Sequence, residues 1–363
     1  MQFTILGQGT GLPAHSIEME EALAYAQRYF CDGEDQRRQL ALLYRMAGVK
    51  RRHSVVLDGP EGTSDRHSFF PKPNGKATLG PTIDERMRKY AVESLPLALA
   101  ASRQALEEAA VSPESITHLI TVSCSGFAAP GVDIGLMKEL GLTQTVQRTH
   151  VGFMGCHGAL NGLRVGRGFV ESDPNAVVLL CAVEICSLHY HYGWNPEQLV
   201  ANALFADGAA AVVGGAAISG EATGWRIGGT GSCLIPESDD AMTWRIGNNG
   251  FEMSLSSRVP ALITGHLRAW IVDWLAKHEL GLSDIATWAV HPGGPRILSS
   301  VAKALDLEKD ALSVSMEMLR THGNMSSPTI LFIVKQLREQ GAPLPCVALG
   351  FGPGLMAEAT LFV

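Results

Sequence analysis

Residues 112–126 read SPESITHLITVSCSG and residues 283–294 read SDIATWAVHPGG. In each, an acidic residue and an Ile lead into a β-rich apolar run, which ends in polar residues entering a Gly turn. Each follows a helical pattern, around 90–110 and around 262–280. A second pair repeats the theme: RTHVGFMGC at 148–156 and RTHGNMSS at 320–327 each lead into a helix-like segment, then into VVLLCA at 177–182 or CVALGF at 346–351. Ser123 and His291 lie 168 positions apart and Thr149 and Thr321 lie 172 apart, so order and spacing survive between the halves. An internal duplication of alternating strand and helix implies α/β architecture, with sheets covered by helices. A duplicated α/β/α/β/α sandwich satisfies these constraints. The junction is expected in AVVGGAAISGEATG (211–224), giving halves 1–218 and 219–363.

The chain has 363 residues, which suits two units at roughly 100 to 200 residues per domain. It is 46% hydrophobic and 18% charged with 39 glycines, a composition of globular proteins with closely packed backbone. The net charge of −7 argues against a nucleic-acid partner, which needs clustered Lys and Arg. A local patch for a phosphorylated ligand is still compatible with it. Arg45, Lys50, Arg51 and Arg52 form the densest such patch, with a solvated basic turn as the alternative. No N-terminal signal pattern and no apolar run of about 18 residues is present, so a cytoplasmic protein without a membrane span is expected. The seven cysteines are scattered without a CxxC pair, so reduced thiols and no metal are expected.

Cys156 follows Gly155 and opens a segment whose Leu160, Leu163 and Phe169 can face a core. A thiol at a helix N-terminus meets unpaired N–H groups, which favour the thiolate. A buried structural cysteine is the alternative. The corresponding points of the second half carry His291, at a strand end before PGG, and Asn324, before Ser326, Ser327 and Pro328. A His there points into the crevice where α/β proteins bind ligands. A core histidine and a helix-start amide are the competing roles. Together the three supply a nucleophile, an ion-pair partner and an oxyanion donor, a set suited to acyl transfer.

VGFMGCHGALNGLRVG around Cys156, VANALFADGAAAVV at 200–213, HPGGPRIL at 291–298, GNMSSPTILFIV at 323–334 and GFGPGLMAEATLF at 350–362 closely resemble the type III polyketide synthases, the chalcone/stilbene synthase-like family. The match runs in order over most of the chain, and the HPGGP, GNMSS and GFGPG segments belong to that branch. The resemblance implies a thiolase-like fold, a homodimer, acyl-CoA and malonyl-CoA as substrates, and no cofactor. It implies that Cys156 carries the acyl group, while His291 and Asn324 bind the thioester carbonyl of malonyl-CoA during decarboxylation. Phe205, otherwise readable as a core Phe, would gate the passage from the CoA tunnel to the cavity. Met253 and the loop Gly350, Phe351, Gly352, Pro353 and Gly354 would line that cavity.

Several positions depart from the plant enzymes of the family. Cys124 and Ala129 stand where those place a Thr and a Met, and Cys186, Leu188 and His189 replace other cavity-lining residues. Cys124 resembles bacterial members that take fatty acyl starters, and a small Ala129 would open space, so an alkylpyrone or alkylresorcinol product is expected. The basic residues that grip CoA in plant enzymes do not align one for one with Arg45 and Lys50 to Arg52. Three alternatives remain: a ketoacyl synthase III-like enzyme making a single condensation, a Cys-His-Asn thioester hydrolase, and a non-catalytic acyl-CoA-binding relative. The papain-like order Cys, His, Asn supports the hydrolase, but the duplicated halves oppose it.

Overall fold

The computed structural model describes residues 2–60, 66–72, 79–216 and 224–363. The expected junction at 218/219 lies outside the described residues. In the first half the chain forms β1 (Phe3–Gly11), β2 (Ser16–Glu18), α1 (Met19–Phe30), α2 (Glu34–Met46), β3 (Arg51–His53), α3 (Ile83–Ala109), β4 (His118–Ser123), α4 (Val132–Leu140), β5 (Gln147–Gly152), α5 (Gly158–Ser172), β6 (Val177–Ile185), α6 (Pro196–Leu204) and β7 (Asp207–Ala216). The second half contributes β8 (Ile227–Leu234), β9 (Met242–Gly247), β10 (Gly250–Leu255), α7 (Val259–Ala276), β11 (Thr287–Val290), α8 (Pro295–Leu305), α9 (Ser313–His322), α10 (Ser327–Glu339), β12 (Cys346–Gly352) and β13 (Met356–Phe362).

The first sheet has the order β1-β7-β6-β4-β5 and the second β11-β12-β13-β8. In both, one pair is parallel (β4 with β6, β11 with β12), the next strand is antiparallel to it (β7 beside β6, β13 beside β12), and the last is antiparallel in turn to that one (β1 beside β7, β8 beside β13). Helices α5 and α10 lie between the sheets, α3 and α4 cover the outer face of the first, and α7 and α8 that of the second. The result is the five-layer sandwich expected from the repeat. Helix α10 is buried on every side from Ser327 to Val334, as its uninterrupted PTILFIV run requires of a central layer. Helix α5 approaches the first sheet through Gly158 and Gly162. A Cβ on Gly162 would sit 2.6 Å from Leu180 Cδ1, and one on Gly158 would sit 2.9 Å from Val122 Cγ1.

The repeat is not exact, and one matched pair fails structurally. Arg148–His150 lie in strand β5, whereas Arg320–His322 form the last turn of α9. Asn324 instead makes an isolated parallel bridge to Phe205, with Asn324 N–H donating to Leu204 O at 2.9 Å and Ala206 N–H to Asn324 O at 2.9 Å. The RTH match therefore pairs residues of different secondary structure, although the segments after it do occupy equivalent places before α5 and α10.

Candidate active site

Cys156 sits in the tight turn 155–157 that immediately precedes α5. Gly155 makes that turn with φ +73, and a Cβ there would lie 2.3 Å from Pro353 Cδ, so the turn is seated on the GFGPG loop. His291 follows β11 at the equivalent strand end, its N–H donating to Leu349 O at 2.8 Å. Asn324 is fixed by the bridge described above. These three side chains line one chamber of about 30 Å³, together with Phe205, Met253 and Phe351. Strand ends and helix starts from both halves thus meet at one point.

Asn324 is oriented as well as placed. Its Oδ1 accepts the Ser326 N–H at 2.8 Å, which leaves the amide NH₂ as the donor toward the chamber and the Cys156 sulfur. His291 is 1% exposed, and neither ring nitrogen has a hydrogen-bond partner among the described residues. Burial, with a smaller contribution from His157, pushes its pKa down to about 3. A neutral imidazole with two unused nitrogens is therefore available to accept a proton or to donate an N–H. Burial also pushes the Cys156 thiol up to about 11, against hydrogen bonds from Ser326 and Asn324 that pull it down. The thiolate expected at a helix start is outweighed here by desolvation, which disfavours the charged form. Burial favours the neutral form of both groups.

Phe205 separates this chamber from a second one of about 70 Å³, whose lining includes Cys186, His189, Trp244 and Phe251. His189 and Phe251 stack at 4.1 Å, and Trp244 meets both edge-on at 5.4 and 5.7 Å. The Phe251 N–H donates to His189 Nδ1 at 2.9 Å while Nε2–H donates to Ser125 O, so the ring is held in one neutral tautomer. Trp244 Nε1–H donates to Cys124 O at 2.7 Å, hooking the β9–β10 hairpin over the end of β4. A cleft of about 360 Å³ shares Leu204, Leu255, Gly293 and Ile297 with the first chamber and carries Arg296. It lies against the chamber across these four shared residues.

Other expected positions fall elsewhere. Ala129 is exposed in the 127–131 loop and borders a separate hollow beside β5, so within its own chain it opens no space at Cys156. Leu188 is packed in the core under α3, away from both chambers. Arg52 is buried and its guanidinium donates to the carbonyls of Asn202 and Phe205, at 3.0 Å for the latter, so it braces the gate segment. Arg45, Lys50 and Arg51 are exposed, and Arg51 is occupied by Ser16 Oγ at 2.8 Å and Glu18 at 3.5 Å. Of the four basic residues, Arg52 is therefore not turned to solvent for a phosphate. Gly350 and Gly352 pack against His157, and Gly354 O accepts from Ser238 Oγ at 3.0 Å. Cys124 is buried and reaches Ser326 Oγ at 3.3 Å.

Glu184 was not singled out by its sequence, yet it ties the site together. Fully buried, it accepts from Cys124 N–H and Ser125 N–H, each at 2.9 Å, from Ser125 Oγ–H and Ser327 Oγ–H, each at 2.6 Å, and from Ser123 Oγ–H at 3.2 Å. The end of β4, strand β6 and the start of α10 are locked together through this carboxylate. An acid inside the apolar run VVLLCAVEI was the available signal, because a buried charge must be hydrogen-bonded. No group of three or more His, Cys, Asp or Glu among the described residues could hold a metal ion. None of the described helices is long and apolar enough to cross a membrane.

A cysteine, a histidine and an amide gathered where two thiolase-like halves meet define a condensing enzyme of acyl thioesters. The comparisons narrow that class. Residues 2–218 match the model for the N-terminal domain of chalcone and stilbene synthases, and residues 229–363 match that for their C-terminal domain. The chain belongs to this family, the type III polyketide synthases, and is an acyltransferase of decarboxylative condensation. It is 28% identical to the alpha-pyrone synthesis polyketide synthase-like Pks18 of Mycobacterium tuberculosis, over 99% of this chain and 90% of that protein. It is 32% identical to 1,3,6,8-tetrahydroxynaphthalene synthase of Streptomyces peucetius, over 97% of this chain and 90% of that one. The crystal structure of PKS-I from the brown alga Ectocarpus siliculosus superposes with a TM-score of 0.91 at 30% identity, covering 99% of this chain and 98% of that chain. Acyl-CoA and malonyl-CoA are the substrates of the family.

Proposed function

We propose that this enzyme loads a starter acyl group from CoA onto Cys156 and extends it with malonyl-CoA units, His291 and Asn324 serving the decarboxylation. The observation that carries this reading is the single chamber lined by Cys156, His291 and Asn324, with a cleft against it. In loading, the neutral imidazole of His291 takes the thiol proton as sulfur attacks the thioester carbonyl, and CoA leaves as its thiol after recovering a proton. Malonyl-CoA then enters the same chamber. The N–H groups of neutral His291 and of Asn324 donate to its thioester oxygen as CO2 departs, because donors fixed in a dry site stabilise the developing enolate without reorganising. The carbanion attacks the acyl-cysteine carbonyl and releases Cys156 for the next round.

A linear aliphatic starter and an α-pyrone or alkylresorcinol product form the first reading of specificity. Cys124 and the likeness to Pks18 support it. A second reading, a short starter, is favoured by the size of the chambers. At about 10–15 Å³ per water-sized group, volumes of about 30 and 70 Å³ hold a few such groups, and Trp244, His189 and Phe251 wall the far side. We also infer a homodimer, since β5 is an edge strand and Phe127 beside it is 50% exposed. Size-exclusion chromatography with light scattering tests that. For function, purified enzyme is incubated with malonyl-CoA, alone and with short, long and aromatic acyl-CoAs, and products are identified by mass. Products longer than the starter by whole malonyl-derived units are expected, whereas free acid alone would favour a hydrolase.

A further inference from the structure

We propose that Arg52 is a positioning residue that fixes Phe205 at the division between the two chambers and so sets which starter acyl groups Cys156 accepts. The proposal rests on starters being loaded on Cys156. Phe205 lines both chambers and is the C-cap residue of α6.

The backbone around Phe205 is gripped from two sides. On one side stands Asn324, whose N–H donates to Leu204 O and whose carbonyl accepts from Ala206 N–H, each at 2.9 Å. The polar groups of Phe205 itself point the other way. Its N–H donates to Ala201 O at 3.0 Å, in the last turn of α6. Its carbonyl accepts from Arg52 Nη1–H at 3.0 Å, and the same nitrogen donates to Asn202 O. Carbonyls at a helix end lack partners within the helix, and the negative end of the helix dipole favours a cation. Arg52 thus closes the carbonyl end of α6 at the residue that divides the chambers.

Arg52 is itself held in place. It lies in β3 opposite Ile17 of β2 and is 8% exposed. Its stem runs beside Gly323: a Cβ on that glycine, at φ +74, would lie 3.3 Å from Arg52 Cβ and 3.1 Å from Leu204 O. One side chain therefore meets both the Phe205 carbonyl and the residue before Asn324. The body of α6 has separate holds, since Gln198 Nε2–H donates to Met253 O at 2.9 Å and Asn202 Nδ2–H to His191 O at 3.0 Å. Loss of the Arg52 guanidinium should release the last turn, with Phe205, while the helix stays in place.

The test is a double-mutant cycle on starter selectivity. Loading rates for one short and one long saturated acyl-CoA are measured by intact mass of the acyl-enzyme, without malonyl-CoA. The variants are Arg52→Gln, Arg52→Lys, Phe205→Ala and each Arg52 change combined with Phe205→Ala. Arg52→Gln should bring the ratio of the two rates closer to one by about tenfold, the size of one charge-assisted hydrogen bond. Arg52→Lys should change it less, because charge and stem are kept. With Phe205→Ala present, neither Arg52 change should move the ratio further, since Arg52 acts through that ring. If Arg52→Gln does not fold, the Arg52→Lys cycle decides by the same criterion. A ratio near one in wild type, one unmoved by the Arg52 changes, or one moved equally with and without Phe205 would overturn the proposal, because a merely structural arginine slows both starters alike. Wild-type enzyme that loads no starter on Cys156 would overturn the acyl-transfer reading itself.

Discussion

Replacing Asn324 by Ala removes one amide donor from the chamber and releases the Ser326 N–H that its Oδ1 accepts at 2.8 Å. The Asn324 side chain is oriented by the Ser326 N–H at 2.8 Å, and its backbone is held on both sides by Leu204 and Ala206, so the substitution should leave the bridge to the Phe205 segment in place. Loss of one oxyanion donor typically costs about 10²- to 10³-fold in rate, or about 2.7–4 kcal/mol of transition-state stabilisation. That cost should fall on malonyl-CoA decarboxylation. Loading should suffer less, because Cys156 and His291 remain. Decarboxylation is followed by conversion of malonyl-CoA to acetyl-CoA in a Cys156→Ala background, where condensation is blocked, and loading by intact mass of the acyl-enzyme in the otherwise wild-type chain. Asn324→Asp should be worse than Ala for decarboxylation, since it presents negative charge where the enolate oxygen develops. An Asn324→Ala enzyme that decarboxylates at the wild-type rate would show that this residue is only a helix-start amide.

Three further outcomes follow from particular contacts. Because burial holds His291 down to about 3, its neutral form persists through the acidic range, so decarboxylation by Cys156→Ala enzyme should stay flat from about pH 5 to 8. A fall centred near pH 6.5 would mean an ordinary, exposed imidazole. Gly155→Ala forces a side chain to φ +73 and against Pro353 Cδ at 2.3 Å, for an expected loss of about 2–4 kcal/mol in denaturant unfolding. Unchanged stability would mean that the nucleophile turn is not seated on the 350–354 loop. Trp244→Ala removes the wall of the second chamber and should lengthen the longest starter accepted, read as product mass across an acyl-CoA series. No change in that limit would remove Trp244 from the determinants of chain length.

The layered fold was legible because each half repeats strand, helix and strand in the same order, and Ser123 and His291 fall at equivalent strand ends. The meeting of Cys156, His291 and Asn324 in one chamber was legible for the same reason. What escaped has physical causes. The RTH match joined a strand to a helix end, since a three-residue identity carries no periodicity. Arg52 read as a surface charge because sequence does not show that two backbone carbonyls need its guanidinium. Ala129 was assigned to the cavity by position in a family pattern, yet the loop carries it to the surface. At Cys156 burial raises the thiol pKa, against the lowering expected from a helix start, because sequence does not show how deeply a turn is enclosed. Trp244 comes from a hairpin distant in sequence, and no local pattern announces a side chain that packs across a chamber.

The most direct test of the account is the site of acylation. Enzyme incubated with an acyl-CoA in the absence of malonyl-CoA, then digested and analysed by mass, should carry one acyl group on the peptide containing Cys156. Cys156→Ala should carry none while still converting malonyl-CoA to acetyl-CoA. An acyl adduct on another cysteine, or one that persists in Cys156→Ala, would contradict the assignment.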